Sequence, residues 1–129
     1  MSGSYLLDSD TAIQILSQQI DLTPYREKGD EFYLCHTVLG ELFYGAERSA
    51  HPKLNQERIQ RLAKGCTVLE TTRETAQIYG AIKAKLMAKG RPIPENDYWV
   101  AATALQYGLV VASRDPHFDD VEGLKTWGL

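Results

Sequence analysis

The chain has 129 residues, enough for one domain with a real core and too few for two. Hydrophobic residues make up 43% and charged residues 24%, which excludes a disordered chain, and no apolar run approaches the ~18 residues that a bilayer span needs. A net charge of -3 argues against a protein that coats nucleic acid non-specifically, yet it leaves room for a nuclease whose acids gather at one site while basic residues elsewhere hold phosphates.

Met1 to Ser4 reads as a frayed start, and no basic segment followed by an apolar one marks a secretion signal. Tyr5 to Leu7 is a short strand that stops at Asp8. Thr11 to Gln18 reads as a helix, with Ala12, Ile13, Leu16 and Ile20 at roughly helical spacing. Asp21 to Gly29 is a short second helix with Pro24 near its start and glycine as its stop. Phe32 to Cys35 fits a buried parallel strand. Thr37 to Ser49 reads as a helix capped by Thr37, with Val38, Leu39, Leu42, Phe43 and Ala46 as its apolar stripe. Pro52 restarts the chain into a helix closed by Gly65, and Thr67 to Leu69 is the third strand.

Thr72 to Lys89 is the longest helix, capped by Thr71 or Thr72 and stopped by Gly90. Arg91 to Pro94 is a rigid connector, since each proline biases its predecessor away from helix. The helix that follows, through Tyr107, is apolar nearly all round and should be buried. Leu109 to Ala112 is the fourth strand, Asp115 to Asp120 a loop or turn, and Leu124 to Trp127 a short edge strand. Strands alternating with helices predict an α/β fold, a short parallel sheet of four to five strands with helices on both faces. Cys35 and Cys66 lack metal-type spacing and read as reduced core thiols of a cytoplasmic protein.

Four acids stand where such a fold brings ligands, outside the carboxyl ends of its strands. Asp8 and Asp115 each follow a strand. Asp8 could cap the helix after it, but Ser9 or Asp10 can cap equally well, which leaves Asp8 free. Glu41 flanks the apolar stripe of its helix, and Gly45, one turn on, suggests a close approach there. Asp97 falls in the first turn of the buried helix, where the dipole favours it but an unpaired charge near the interior is costly. Ser113 offers a hydroxyl beside Asp115, Asp10 a further carboxylate, and His117 is the one histidine near the spot. The plain alternatives are a helix cap, a solvated glutamate and an Asp-Pro turn.

Taken in order, four segments resemble the PIN-domain family, in the form of the VapC toxins of bacterial toxin–antitoxin modules. They are Leu6-Leu7-Asp8-Ser9-Asp10-Thr11, Gly40-Glu41-Leu42-Phe43-Tyr44-Gly45-Ala46, Pro94-Glu95-Asn96-Asp97-Tyr98-Trp99-Val100-Ala101-Ala102, and Gly108 to Phe118. Asp10 departs from the family's usual asparagine, and Ser113 stands where threonine is frequent. The resemblance implies a single PIN domain over 1–129 and a metal-dependent endoribonuclease. Asp8 and Asp97 would be the main ligands of Mg²⁺ or Mn²⁺, with Glu41 and Asp115 completing the site. It also implies RNA substrates, tRNA among them, a cognate VapB-type antitoxin seated in the acidic groove, and a homodimer. Phe43, Tyr44 and Tyr107 are aromatics that would suit an interface.

Lys83, Lys85, Lys89 and Arg91, with Arg48 and Arg114, are the cations placed to grip RNA. Two other readings compete. One is a haloacid-dehalogenase-like phosphatase using Asp8 as nucleophile, which would leave Glu41 and Asp97 without work. The other is a PIN fold that binds RNA or protein without cutting.

Overall fold

The protein is described from a computed structural model covering residues 2–129. Five parallel strands, β1 (Ser4–Leu7), β2 (Glu31–Cys35), β3 (Thr67–Leu69), β4 (Val110–Ala112) and β5 (Thr126–Trp127), form one sheet in the order β3-β2-β1-β4-β5. From the central β1 the chain steps outward through β2 to β3, then returns to add β4 on the other side of β1. That reversal between β1 and β4 is the switch point at which α/β sheets open a ligand crevice. Register is fixed by the pairs Leu6–Tyr33 and Leu7–Ala112.

Six helices flank the sheet: α1 (Ser9–Leu16), α2 (Thr23–Glu27), α3 (His36–Glu47), α4 (Pro52–Lys64), α5 (Arg73–Ala88) and α6 (Glu95–Tyr107). A 3₁₀ turn, Pro116–Phe118, follows β4. α1, α3 and α4 contact one another, α5 lies along α6, and α3 touches α6 across the molecule. None of these helices is long and apolar enough to cross a membrane.

The core runs through the sheet into α6. Leu6, Leu7, Leu34, Val111 and Ala112 are fully buried, as are Ala101, Ala102 and Ala104 of α6. Each Leu or Val removed from water contributes ~1.5–3 kcal/mol, and the alanines let α6 lie close to its neighbours. The expectation that α6 is buried holds, and it ends where Gly108 takes the left-handed φ of +67° that closes a helix without a Cβ clash. Thr72 caps α5, paired reciprocally with Thr75.

Several expected details change. The start is not frayed from Ser4 onward: Ser4 is in β1, and the Gly3 N–H donates to Asp30 at 2.6 Å (Met1 lies outside the described residues). Thr37 does not cap α3; the helix begins one residue earlier, after Cys35, without a side-chain cap. Ile13 is 52% exposed, so α1 does not spend its whole apolar stripe on the core. Nothing approaches Gly45, where an added Cβ would meet no atom within 4 Å. Both thiols are free, and burial pushes each above its ordinary pKa.

Candidate metal centre

Asp8 is where the sheet hands over to chemistry. Its Oδ1 accepts the Thr11 N–H at 2.8 Å, so Asp8 itself caps α1, at 5% exposure. The expectation that Ser9 or Asp10 would cap in its place is wrong. A carboxylate has two oxygens, and capping with one leaves the other for a second task. Ser9 is instead spent on Glu41, donating its hydroxyl to Oε1 at 2.8 Å and tying α1 to α3. Thr11, also buried, donates to the Ala112 carbonyl at 2.8 Å, which locks the end of β1 to the end of β4.

Past β4, the chain is set by local polar bonds. The Ser113 hydroxyl accepts the Asp115 N–H at 3.0 Å, and Asp115 Oδ1 accepts the His117 N–H at 3.0 Å. These fold the loop so that the imidazole turns back across the crevice. His117 Nδ1 lies 3.1 Å from Asp97 Oδ2 and 3.1 Å from Asp115 Oδ1. Asp97 comes from the first turn of α6, as expected.

All four acids named from the sequence thus line one cleft of about 310 Å³, with Asp10 on its exposed rim and His117 at its mouth. Ser113 is buried behind Asp115. The tightest grouping is Asp97, Asp115 and His117, whose ligand atoms lie within 4.8 Å of one another; Asp8 and Glu41 line the same cleft outside that group. Sequence reasoning missed the bridging role of His117, the Ser9–Glu41 bond, and Glu95 and Asn96 on the cleft wall.

The electrostatics fit a cation. Burial pushes the Asp97 carboxyl above its ordinary pKa, the His117 hydrogen bond pulls it back, and repulsion from Asp115 and Asp8 adds to the rise. One ring nitrogen sits within 3.1 Å of carboxylate oxygens from two different elements, so Asp97 and Asp115 converge on a single point. A donor set dominated by carboxylate oxygen suits hard divalent ions such as Mg²⁺ and Mn²⁺, and the single imidazole is compatible with Mn²⁺.

The first residue of α6 is held from outside. Glu95 accepts from the Tyr79 hydroxyl and from Lys83 Nζ at 2.9 Å, and Lys83 also donates to the Tyr79 oxygen at 3.0 Å. These bonds hold Lys83 above and Glu95 below their ordinary pKa values. The cations expected to grip RNA are mostly engaged as well. Lys85 pairs with Glu122 at 3.4 Å, Arg91 with Asp120 at 3.3 Å, Arg114 donates to the Leu129 carbonyl at 2.8 Å, and Arg48 lies over the Tyr44 ring. Lys89 is exposed, and neither it nor the other four lines the acidic cleft.

Comparison with known proteins agrees with this geometry. The PIN-domain profile matches residues 5–124. The chain is similar to ribonuclease VapC2 of Haemophilus influenzae, 30% identical over 125 residues and 95% of each chain. It is similar to the tRNA(fMet)-specific endonuclease VapC of Shigella flexneri, 29% identical over 95% of each. Among solved structures, the DNA-bound VapBC complex of Salmonella typhimurium superposes with a TM-score of 0.88, at 26% identity and 97% coverage of each chain. Fold, acid set and sequence agree: this chain belongs to the PIN-domain family, among its VapC-type toxins.

Proposed function

We propose that the protein is a divalent-metal-dependent endoribonuclease toxin that hydrolyses RNA phosphodiester bonds, with tRNA among its substrates. The observation that carries the reading is the convergence of Asp8, Glu41, Asp97 and Asp115 on one cleft at the β1–β4 switch point. Its relatives carry the names of ribonucleases, and one of them that of a tRNA(fMet)-specific endonuclease.

Asp8, Asp97 and Asp115 would hold Mg²⁺ or Mn²⁺, with Glu41 completing the site directly or through water. Held there, such an ion would supply an acidified water as nucleophile and would offset charge on the scissile phosphate. The chain's own side chains do the positioning. Asp8 is fixed by the Thr11 amide, Glu41 by Ser9, and Asp115 by the Ser113 hydroxyl behind it. His117 spans Asp97 and Asp115 and restrains both carboxylates. No side chain has to serve as general base, because a water acidified in this way would release its proton to solvent.

The structural relatives are toxin–antitoxin complexes, which supports a VapB-type antitoxin as partner. An antitoxin arginine pairing with two of the cleft carboxylates would neutralise the site. Tyr44 and Tyr107, 63% and 40% exposed, support a homodimer, and a cellular RNA substrate would be met in the cytoplasm.

The test is cleavage of total bacterial RNA by antitoxin-free protein with Mg²⁺, with Mn²⁺ and with EDTA, beside an Asp97→Asn control. Discrete fragments that need metal and vanish in the control are the expected result. Absence of cleavage by folded protein with both metals would overturn the nuclease and favour a binding module.

A further inference from the structure

A cluster of cations without ion-pair partners lies away from the acidic cleft. A groove of about 620 Å³ between the end of α1, α2 and α4 is lined by Arg26, Arg58 and Arg61, with Asp21 as the one acid in its wall. No carboxylate lies within ion-pair distance of any of the three arginines among the described residues. Asp21 is spent on the Thr23 N–H at 2.9 Å. Arg26 is held in place, donating to the Gly65 carbonyl at 3.0 Å and lying 5.8 Å from the Phe32 ring centroid. Arg58 and Arg61 project from one face of α4, three residues apart, and both are exposed.

This groove is joined to the acidic cleft. A second, more apolar depression of about 270 Å³ lies between them, floored by Gly45 and Ala46 and walled by the exposed Ile13. Glu41 belongs to both the cleft and this depression, and Arg58 to both the depression and the arginine groove. The missing side chain at Gly45 keeps the floor open. The eight residues of α1 cover about 12 Å, which is about three to four nucleotides of stacked strand at ~3.4 Å each.

We infer that RNA bound at the acidic cleft runs over the α1–α3 depression and places flanking phosphates on Arg26, Arg58 and Arg61. This rests on the ribonuclease reading above and names how that enzyme holds its substrate beyond the scissile bond. Charge decides the occupant. On a chain of net charge -3, unpaired guanidinium groups are the local attraction for an anion, and their planar forks match phosphate oxygens in pairs. The apolar depression between the two charged regions accepts base and ribose faces, as in other single-strand channels.

The experiment measures binding of total bacterial tRNA to the full chain in EDTA, which leaves the RNA intact, across a series of salt concentrations. Compared are the wild type, Arg58→Gln with Arg61→Gln, and Arg58→Lys with Arg61→Lys. Loss of two phosphate contacts should flatten the logarithmic salt slope by ~1.4 and weaken binding about tenfold at moderate salt, and the lysine pair should restore the slope. Circular dichroism checks that these exposed substitutions leave the fold intact. A glutamine pair with wild-type slope and affinity would overturn the inference while leaving metal-dependent cleavage untouched. The same holds if that pair keeps RNA but loses a protein partner, which would make the groove a protein-docking surface. A wild type that neither binds nor cuts RNA overturns this inference and the nuclease together.

Discussion

Asp97 carries a cost that its function explains. Its carboxylate is half-buried, faces Asp115 and Asp8, and is held above its ordinary pKa chiefly by burial. The folded state therefore binds a proton there more tightly than the unfolded chain does. As pH falls through the folded pKa toward the unfolded value, this group makes the fold more stable; above the folded pKa the full penalty is present. In EDTA at neutral pH, Asp97→Asn should thus be more stable than the wild type, by on the order of 1 kcal/mol. The advantage should shrink toward pH 4 as wild-type Asp97 is protonated. Chemical denaturation at several pH values measures this, and a variant less stable at pH 7 would mean that the His117 bond outweighs burial. Legibility at this scale was uneven. Asp8, Asp97 and Asp115 were readable because each sits at a strand end or helix start, and Glu41 because it flanks the apolar stripe of α3, but the cap was misassigned because one carboxylate does two jobs. His117 bridging two acids depends on a loop folding back, which spacing alone does not reveal.

At the scale of elements, α6 presents Asp97 without a side-chain cap of its own. Its first turn is held by the Glu95 bonds to Tyr79 and Lys83 of α5, and Tyr79 in turn stacks on Trp99 with ring centroids 4.0 Å apart. A solvent-exposed pair of this kind contributes little to global stability. Its effect should be local, on the residues next to Asp97. Lys83→Met should leave the melting temperature close to wild type and speed amide exchange over 96–99. Mn²⁺ affinity, measured by calorimetry, should fall about tenfold, at the low end of effects from residues that orient ligands. Unchanged exchange and affinity would show that packing of Tyr98 and Val100 alone holds the turn. The sequence marked the elements themselves well, since glycine stops, prolines and apolar runs are local signals. It misjudged the α3 start, where no capping side chain marks the boundary, and α1, where Ile13 serves a groove wall rather than the core.

Across the whole molecule, charge is sorted in a way composition hides. Arg91 meets Asp120, 29 residues away, and Lys85 meets Glu122, so the basic face read on α5 is largely neutralised, whereas the arginines of α2 and α4 are not. Which cation stays free is decided by long-range approach and was not legible. The parallel sheet flanked by helices was more accessible, because strands alternating with helices leave few other arrangements, although its strand order was not read. The observed order brings the acids together at the β1–β4 switch point. Like charges gathered at one cleft oppose folding until a cation joins them, so a metal that binds only the folded state must raise its stability. At a Mn²⁺ concentration of 100 times the dissociation constant the gain is ~2.7 kcal/mol, and at roughly 4 °C per kcal/mol for a chain of this size the melting temperature should rise by about 10 °C. The rise should continue with the logarithm of concentration and be absent or much reduced in Asp97→Asn. A melting temperature that ignores Mn²⁺, in a protein that still needs Mn²⁺ to cut RNA, would mean that the ion is recruited only with the substrate phosphate, so that the four carboxylates are half of the site and the RNA supplies the rest.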